Sequence, residues 1–432
     1  MMDFIQIKRA MDIGQGKVSI RGWVHRERKS KKLAFIILRD SSEIIQCVFE
    51  ISKFESRWKE IDKILIETSM EITGEIKKDE RAPSGYEIQV DDFKVIHYAE
   101  VFPIKGGESE GFLGDMRHLW LRSQKMTSIL KIRSTVVAAI HKYFRQQEFY
   151  EFHTPIFQAV QCEGGSTLFK VPYYGQKGVF LGQTWQLYAE PGIFALEKIY
   201  TVEPAFRAEK SKTSRHLTEI WIAEMEMAWS VFKDIQDHCE ALIKYVVKYV
   251  LKKHRKELEI LKRDITCLEA SIKKPFIRMS YDEALKILKE KCSMDVEWGK
   301  DLRTLEEEKL TKLYDVPIIV TDYPKIVKAF YMKESPGKPK CVQGCDVLAP
   351  EGYGEIVGGS QREEDIEKIK QRLVETGEDP KEYEFYLDTR KYGSVPHGGF
   401  GLGVERIIAW ICGLEHIKDA IAFPRTMSRF KP

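Results

Sequence analysis

The sequence predicts an α+β protein, with a small N-terminal β-barrel followed by a larger domain that mixes helices and strands. Three observations predict it. Residues 17–98 carry five short stretches of alternating apolar and polar side chains, residues 103–122 are rich in glycine and charge, and helical periodicity begins near Lys125.

In the first stretch, KVSIRGWV, Val18, Ile20 and Gly22 fall on one face. LAFIILRD, IIQCVF, SMEITGEI and YEIQVDDFKVI read as four more strands, separated by polar segments such as HRERKSKK and KKDERAPSG. Five strands of this length suit an OB-type barrel, whose face binds single-stranded nucleic acid. The pattern fits equally well any small barrel that serves only for packing. The stretch 103–122, PIKGGESEGFLGDMRHLWLR, reads as a hinge. The chain thus divides into three regions: 1–102, the hinge 103–122, and 123–432.

From Lys125 onward Ile129, Ile132, Val136, Ile140 and Tyr143 recur at three and four residues, which predicts a helix with one apolar stripe. Such a stripe needs a cover, and a second copy of the chain could supply it. The stripe ends before Glu151, and Pro155 interrupts regular structure beyond it. A second helical pattern runs from about Asp234 to Arg263, and PIIVTDYP (317–324) is a buried strand.

Bulk numbers exclude several classes. The chain has 432 residues, 43% hydrophobic and 31% charged, with a net charge of +3. A strong polyanion binder is not visible in that balance, although local basic patches could hold RNA. No apolar run approaches the length of a membrane span, and no membrane partner is expected. The N-terminus lacks an apolar signal core and carries Asp3 and Asp12, so a cytoplasmic location is expected. Eight cysteines are scattered, and Cys341 and Cys345 have no second Cys or His pair near enough to suggest zinc. They read as ordinary reduced thiols.

Two segments concentrate chemistry. FRAEKSKTSRHLTEIWIAEMEMAW (206–229) gathers Arg207, Glu209, Arg215, His216 and Glu219 between strand-like stretches. Arg and His aimed into a cleft can hold a triphosphate, because guanidinium makes bidentate bonds to phosphate. Alone, such a segment is more commonly a salt-bridged surface hairpin. GGFGLGVERIIAWI (398–411) places glycines at 399, 401 and 403, then Glu405–Arg406 at the head of an apolar helix. Alternating glycines let something approach the backbone. The spacing fits neither a Rossmann fingerprint nor a P-loop.

Taken together, FRAE followed far along the chain by GxGxGxER resembles motifs 2 and 3 of class II aminoacyl-tRNA synthetases. Motif 2 would span about 203–229 and motif 3 about 398–411. The helix near 125 with the strand around Pro155 resembles motif 1, about 125–157, which builds a dimer interface in that family. The resemblance implies an antiparallel catalytic sheet flanked by helices in 123–432, ATP as a substrate, Mg²⁺, a homodimer, and an anticodon-binding OB domain in 1–102. KSKTS superficially echoes a class I signature loop, but no HIGH partner precedes it.

The same resemblance assigns roles. Arg207 would bind the α-phosphate and the amino-acid carboxylate, Glu209 the adenine, His216 the distal phosphates, and Arg406 the γ-phosphate. Arg207 and Arg406 would be the catalytic pair. Asp346 and Glu355 would hold Mg²⁺, an ion that needs few protein carboxylates. Ile220 stands where the family usually places an aromatic ring against adenine, with Trp221 pointing to the other face of the strand. Gly358 stands where aspartyl members tend to offer a serine to the metal. In the barrel, Phe35 would stack on the central anticodon base and Gln46 would read it.

Amino-acid choice follows from the pocket. CEGGSTLF (162–169) and LGQTWQLYAE (181–190) resemble the substrate loop and next helix of aspartyl and asparaginyl members. Gln186 would take the ammonium with Glu163 nearby, and Arg362 would donate to the side-chain oxygen. Aspartyl members carry Lys then Gln after QLY, whereas Ala189 and Glu190 stand here. Arg362 plus Glu190 offers one donor group and one acceptor group, complementary to an amide rather than a carboxylate. A site built this way rejects an analogue by roughly 10⁴–10⁵-fold. The expected substrate is L-asparagine and the expected acceptor tRNA-Asn. A relaxed aspartyl enzyme should keep Lys at 189. An asparagine synthetase paralogue dispenses with the barrel, and a non-catalytic RNA-binding relative would be expected to lose Arg207 or Arg406.

Overall fold

The computed structural model describes residues 3–162, 167–211 and 213–432. It divides into two compact units, Met1–Leu113 and Gly114–Pro432. The division falls within the stretch expected to be a hinge. The later part of that stretch is no hinge: Arg117 is buried, and its guanidinium donates to the carbonyls of Lys418, Ile421 and Ala422 and to Asp419. A cation anchored to that many acceptors cannot act as a swivel.

The first unit is a closed barrel of five strands, β1 (Gly16–Lys29), β2 (Leu33–Arg39), β3 (Ile44–Glu50), β4 (Ser69–Lys78) and β5 (Tyr86–His97), in the order β1-β2-β3-β5-β4. Strands β2 and β4 bury alternate residues, as Ala34, Ile36 and Leu38 do on β2. Gly22 lies where β1 meets β2, and a Cβ there would fall 2.1 Å from the Arg39 carbonyl oxygen. The strand can approach that closely because it has no side chain there. Helix α1 (Ile7–Ile13) adds Ile7 and Ala10 to the barrel core.

The second unit is built on a mixed sheet. Its main strands are β6 (Tyr150–Glu151), β7 (Lys198–Phe206), β8 (Glu219–Ala228), β9 (Ile277–Ser280), β10 (Ile318–Pro324), β11 (Lys338–Ala349), β12 (Gly354–Gln361) and β13 (His397–Gly403), and the short strand Glu334–Ser335 pairs with β11 off the main path. Their order is β9-β10-β11-β12-β13-β8-β7-β6. The six inner strands pair antiparallel, and the short edge strands β9 and β6 join in parallel. The expected antiparallel sheet therefore gains two parallel edges.

Helix α2 (Gln124–Gln146) begins where Ser123 accepts from the Met126 amide at 3.2 Å. Its stripe of Ile129, Ile132, Val136, Ile140 and Tyr143 is fully or nearly buried within the chain. It packs on helix α4 (Phe232–Lys253), whose Cys239, Leu242, Ile243, Val246 and Val250 share the same core. The stripe therefore needs no second copy to cover it, contrary to expectation: the two amphipathic helices cover each other.

Candidate active site

The site grows out of β8 and its neighbours. Along β8, Ile220, Ile222, Glu224 and Glu226 alternate onto one face and line a cavity of about 570 Å³. Trp221 points the other way, and its amide donates to Glu405 at 2.9 Å. The second carboxylate oxygen of Glu405 accepts from Arg133 of α2 at 2.7 Å. Glu405 is therefore a structural tie, while its neighbour Arg406, at the head of helix α6 (Val404–Cys412), lines the cavity.

The alternating glycines of β13 make room for an acid. Gly399 lies opposite Glu226 in register, and a Cβ there would stand 2.1 Å from the Met225 carbonyl oxygen and 2.2 Å from Glu226 Oε2. The missing side chain leaves space for a buried carboxylate. That carboxylate accepts from Arg362 at both ends, Nε to Oε1 at 2.9 Å and Nη2 to Oε2 at 2.8 Å. Arg362 also donates to Ser360 at 2.6 Å and lies over the Tyr331 ring. Burial pushes the Glu226 carboxyl up, and Arg362 opposes it. Both side chains line the cavity.

Glu190 differs from its sequence expectation. It sits on helix α3 (Gln186–Leu196), is wholly buried, and is not among the residues that line the cavity. One oxygen accepts from Gln186 Nε2 at 2.9 Å and Tyr386 Oη at 3.0 Å. The other accepts from Arg390 at 2.6 Å and lies 3.1 Å from His397 Nε2. Burial opposes its charge, yet Arg390, His397 and Arg362 together hold the carboxyl well below its ordinary range. This acceptor was expected against the ligand; helix α5 (Glu384–Lys391) instead brings Tyr386 and Arg390 onto it. The acceptor that faces the cavity beside Arg362 is Glu226. Ligand atoms of Glu190, Glu226 and His397 lie within 4.8 Å of one another, but two arginines already neutralise that cluster.

Gln186 lines the cavity, and its NH₂ is committed to Glu190, which leaves its carbonyl oxygen as the acceptor. Glu224 accepts from the Trp185 amide at 2.9 Å and from the Thr184 hydroxyl, fixing the start of α3. Glu163 lies outside the described residues. Its segment is flanked by Cys162, whose amide donates to Gln183 Oε1 at 3.2 Å, and Thr167, whose hydroxyl accepts from Gln183 Nε2.

The charged end holds the remaining residues. Arg207, just past β7, lines the cavity with Ile220, Asp346, Glu355 and Arg406. A small neighbouring cavity of about 30 Å³, sharing Arg207 and Arg406 with the first, is also bordered by Glu209 and His216. Glu209 Oε2 lies 3.2 Å from His216 Nε2. Burial lowers the His216 pKa, Glu209 raises it, and Arg406 and Arg207 lower it further. Arg215 borders the same small cavity, with its guanidinium bound to Glu307 at 2.6 Å and to the Gly352 carbonyl.

Asp346 on β11 and Glu355 on β12 converge over Gly358. A Cβ there would lie 3.2 Å from Glu355 Oε1 and 3.7 Å from Asp346 Oδ1. Their other oxygens are taken: Arg406 donates to Glu355 Oε2 at 2.9 Å, and Lys328 to Asp346 Oδ2 at 2.7 Å. Burial raises the Asp346 carboxyl to about 6 despite Lys328. Burial also opposes charge on Glu355, but Arg406 and Lys328 hold it at about 2. One oxygen from each carboxylate facing a common space above a glycine is a donor set that fits a divalent cation with two protein ligands.

In the barrel, Phe35 and Gln46 lie on paired antiparallel strands, two register positions apart on one face, since Phe35 pairs with Val48 and Ile37 with Gln46. Both are half-buried, and Gln46 donates to Glu87 at 3.0 Å.

Sequence reasoning missed Glu226, Tyr386, Arg390, His397 and Lys328. A signal existed for Glu226, because its even spacing from Ile220 places it on the cavity face. None existed for Tyr386 and Arg390, which reach Glu190 only through the tertiary fold.

The family described as tRNA synthetases class II (D, K and N) matches residues 109–427, and an OB-fold nucleic acid binding domain matches residues 18–96. The chain is 49% identical over 416 residues to the asparagine–tRNA ligase of Thermococcus gammatolerans, covering 96% of each. It is 46% identical over 433 residues to that of Thermoplasma acidophilum, covering all of both. Its fold is similar to asparaginyl-tRNA synthetase from Pyrococcus horikoshii complexed with asparaginyl-adenylate, with a TM-score of 0.96, 44% identity and full coverage of both chains. It is also similar to aspartyl tRNA synthetase from Entamoeba histolytica, at a TM-score of 0.86 and 25% identity, covering 100% of this chain and 93% of that one. The backbone is thus common to enzymes of either amino acid, and the choice between them lies in side chains. With a family match across residues 109–427 and a relative 49% identical over nearly its whole length, the chain belongs to the class II tRNA synthetases of the aspartate, lysine and asparagine group.

Proposed function

We propose that this protein activates L-asparagine with ATP, forming asparaginyl-adenylate and pyrophosphate, and transfers the asparaginyl group to tRNA-Asn. The observation that carries the reading is the Arg362–Glu226 pair on the cavity wall. It presents a donor group beside an acceptor group, as an amide requires. Aspartate would set a second carboxylate against the buried Glu226, with Ala189 where a compensating lysine would stand. The names of the similar proteins from Thermococcus and Thermoplasma support the same substrate. An aspartate-charging enzyme is not favoured, nor is an asparagine synthetase paralogue, since the barrel is retained.

In this reading the chain's groups act by position and charge. Gln186, oriented by Glu190, accepts from the substrate ammonium through its carbonyl oxygen. Arg207 holds the substrate carboxylate and the α-phosphate together, so that a carboxylate oxygen is in line with phosphorus and pyrophosphate can leave. Arg406 binds the terminal phosphate, while Glu209 and His216 border the adenine and distal phosphates. Ile220 offers adenine an apolar surface in place of a ring. Asp346 and Glu355 would hold Mg²⁺, which when bound neutralises charge on the departing phosphates. The terminal ribose hydroxyl of tRNA then attacks the activated carbonyl and AMP departs. Phe35 and Gln46 would meet the anticodon.

The protein acts as a homodimer in the cytoplasm in this reading. Tyr150, Ile156 and Phe157, in the segment after α2, are exposed apolar groups that a partner copy would cover. Among the described residues no helix is long and apolar enough to cross a membrane. Light scattering should give twice the 50.3 kDa of the chain. The deciding experiment is ATP–pyrophosphate exchange with each of the twenty amino acids separately. Asparagine alone should support exchange; exchange driven by aspartate instead would overturn the reading.

A further inference from the structure

Lys328 belongs to no motif that the sequence singles out, yet it lies at the charged end of the cavity. It follows β10 through one short turn, Lys325–Val327. Its ammonium donates to Asp346 Oδ2 at 2.7 Å, stands 3.7 Å from Asp301 Oδ1, and lies 3.9 Å from the centre of the Tyr323 ring. Tyr323 is fully buried, and the Lys328 side chain is only 12% exposed. The cation is therefore held from below by a ring and from the side by two carboxylates. Arg406 plays the matching part on Glu355. Each of the two carboxylates that could hold a divalent ion carries a side-chain cation on one oxygen and turns the other toward Gly358.

This arrangement nearly balances its own charge. Asp301, Asp346 and Glu355 supply the negative groups, and Lys328, Arg406 and Arg207 the compensation. A divalent ion entering alone meets two fixed cations within hydrogen-bond reach of its ligands. It gains little from carboxylates already satisfied, and it must give up strongly held water. A triphosphate changes that balance by adding negative charge and oxygen ligands together.

We propose that Lys328 is a charge-balancing residue that makes divalent-cation binding at Asp346 and Glu355 conditional on the nucleotide. The inference rests on the reading of this cavity as the ATP site. Lys328 acts through Asp346, as a positioning residue. A purely architectural lysine, one that only anchors residues 325–332, would affect stability and leave metal affinity without nucleotide unchanged.

The test uses the full-length protein and Mn²⁺ as probe, counted at pH 8 by the paramagnetic resonance of the free ion. Wild type, Lys328→Gln and Lys328→Arg are titrated without nucleotide and with α,β-methylene-ATP. Wild type should bind Mn²⁺ only with the analogue. Lys328→Gln, which keeps a hydrogen-bond donor but removes the charge, should bind Mn²⁺ without nucleotide at least tenfold more tightly than wild type. Lys328→Arg should behave as wild type. The gained site should vanish when Asp346→Asn is added to Lys328→Gln, which ties it to this carboxylate. Equal nucleotide-free affinity in wild type and a folded Lys328→Gln overturns the proposal. If the Gln variant does not fold, the wild type decides alone: binding without nucleotide as tight as with it is equally fatal. A failure of the ATP reading shows separately, as no calorimetric binding of the analogue to wild type, and the nucleotide-free comparison still tests the balancing role.

Discussion

Glu190→Gln separates a carboxylate that touches the ligand from one that is locked in the fold. If Glu190 touched the ligand, the change would alter selectivity and leave stability nearly intact. In the structure it accepts from Gln186, Tyr386 and Arg390, with His397 3.1 Å away, and is wholly buried. Glutamine keeps the shape but removes the charge opposite Arg390 and turns an NH₂ toward groups that themselves donate. Breaking a buried ion pair from one side costs about 3–5 kcal/mol. For the unit Gly114–Pro432, an unfolding entropy of roughly 2 cal/mol/K per residue gives about 0.7 kcal/mol/K, so Tm should fall by about 4–7 °C. Gln186 would lose the partner that fixes its amide. A hydrogen bond to a charged group is worth roughly 1.5–3 kcal/mol, so KM for asparagine should rise roughly 10–150-fold. The depressed carboxyl adds a pH signature. Its stabilisation is present above the unfolded pKa, near 4.5, and is lost as pH falls toward the lower folded value, so the Tm gap between wild type and variant should narrow in acid. Calorimetry from pH 8 down to pH 3 and pyrophosphate exchange at 25 °C would measure both effects. A Tm within 1 °C of wild type, together with a changed asparagine-to-aspartate ratio, would refute this account and restore direct contact.

Three further substitutions test other parts of the site. Arg207→Ala should lower kcat for pyrophosphate exchange by roughly 10²-fold or more with an unchanged melting curve, because its contact strengthens as charge develops; near-normal exchange in the folded variant would sink the assignment. Phe35→Ala should raise KM for tRNA by roughly 5–150-fold, the worth of one stacked base, and leave exchange with asparagine unaltered. Loss in both assays would mean the barrel itself was damaged. Gly399→Ala must accommodate a methyl 2.1 Å from a backbone oxygen and 2.2 Å from Glu226. It should either fail to accumulate as folded protein or fold with asparagine binding lost, as circular dichroism and exchange would report; a folded variant of normal activity would show that β13 can shift.

The parts of the molecule that could be read from sequence are those whose physics is local. The five barrel strands announce themselves by two-residue alternation, and α2 by its apolar stripe. Arg207, Ile220, Gln186, Arg362 and Arg406 sit in segments that resemble the family's motifs and substrate pocket, and all five line the cavity. What sequence could not give is the third dimension around a carboxylate. Glu190 and Glu226 are both acids near the right segments, and only the packing of α5 decides that Glu190 is enclosed and Glu226 faces the ligand space. The stripe on α2 is apolar as its spacing predicts, but its partner, α4, lies too far along the chain for pattern to nominate it. Lys328 carries no spacing relation to Asp346, and antiparallel pairing of β10 with β11 is what brings the two together.

The bond between Glu190 and Arg390 spans 200 residues of chain, and that separation has a consequence during synthesis. At roughly 5–20 residues per second, a ribosome delivers Arg390 about 10–40 s after Glu190. Through that interval the carboxylate has left the tunnel without the cation that makes its burial tolerable, and α3 has no reason to settle where Gln186 can serve. A nascent or prematurely terminated chain lacking residues 386–397 cannot close this end of the pocket, however complete its first strands are. Competence to bind the amino acid is therefore a late event in the life of the polypeptide, reached only after the segment carrying Tyr386, Arg390 and His397 has emerged.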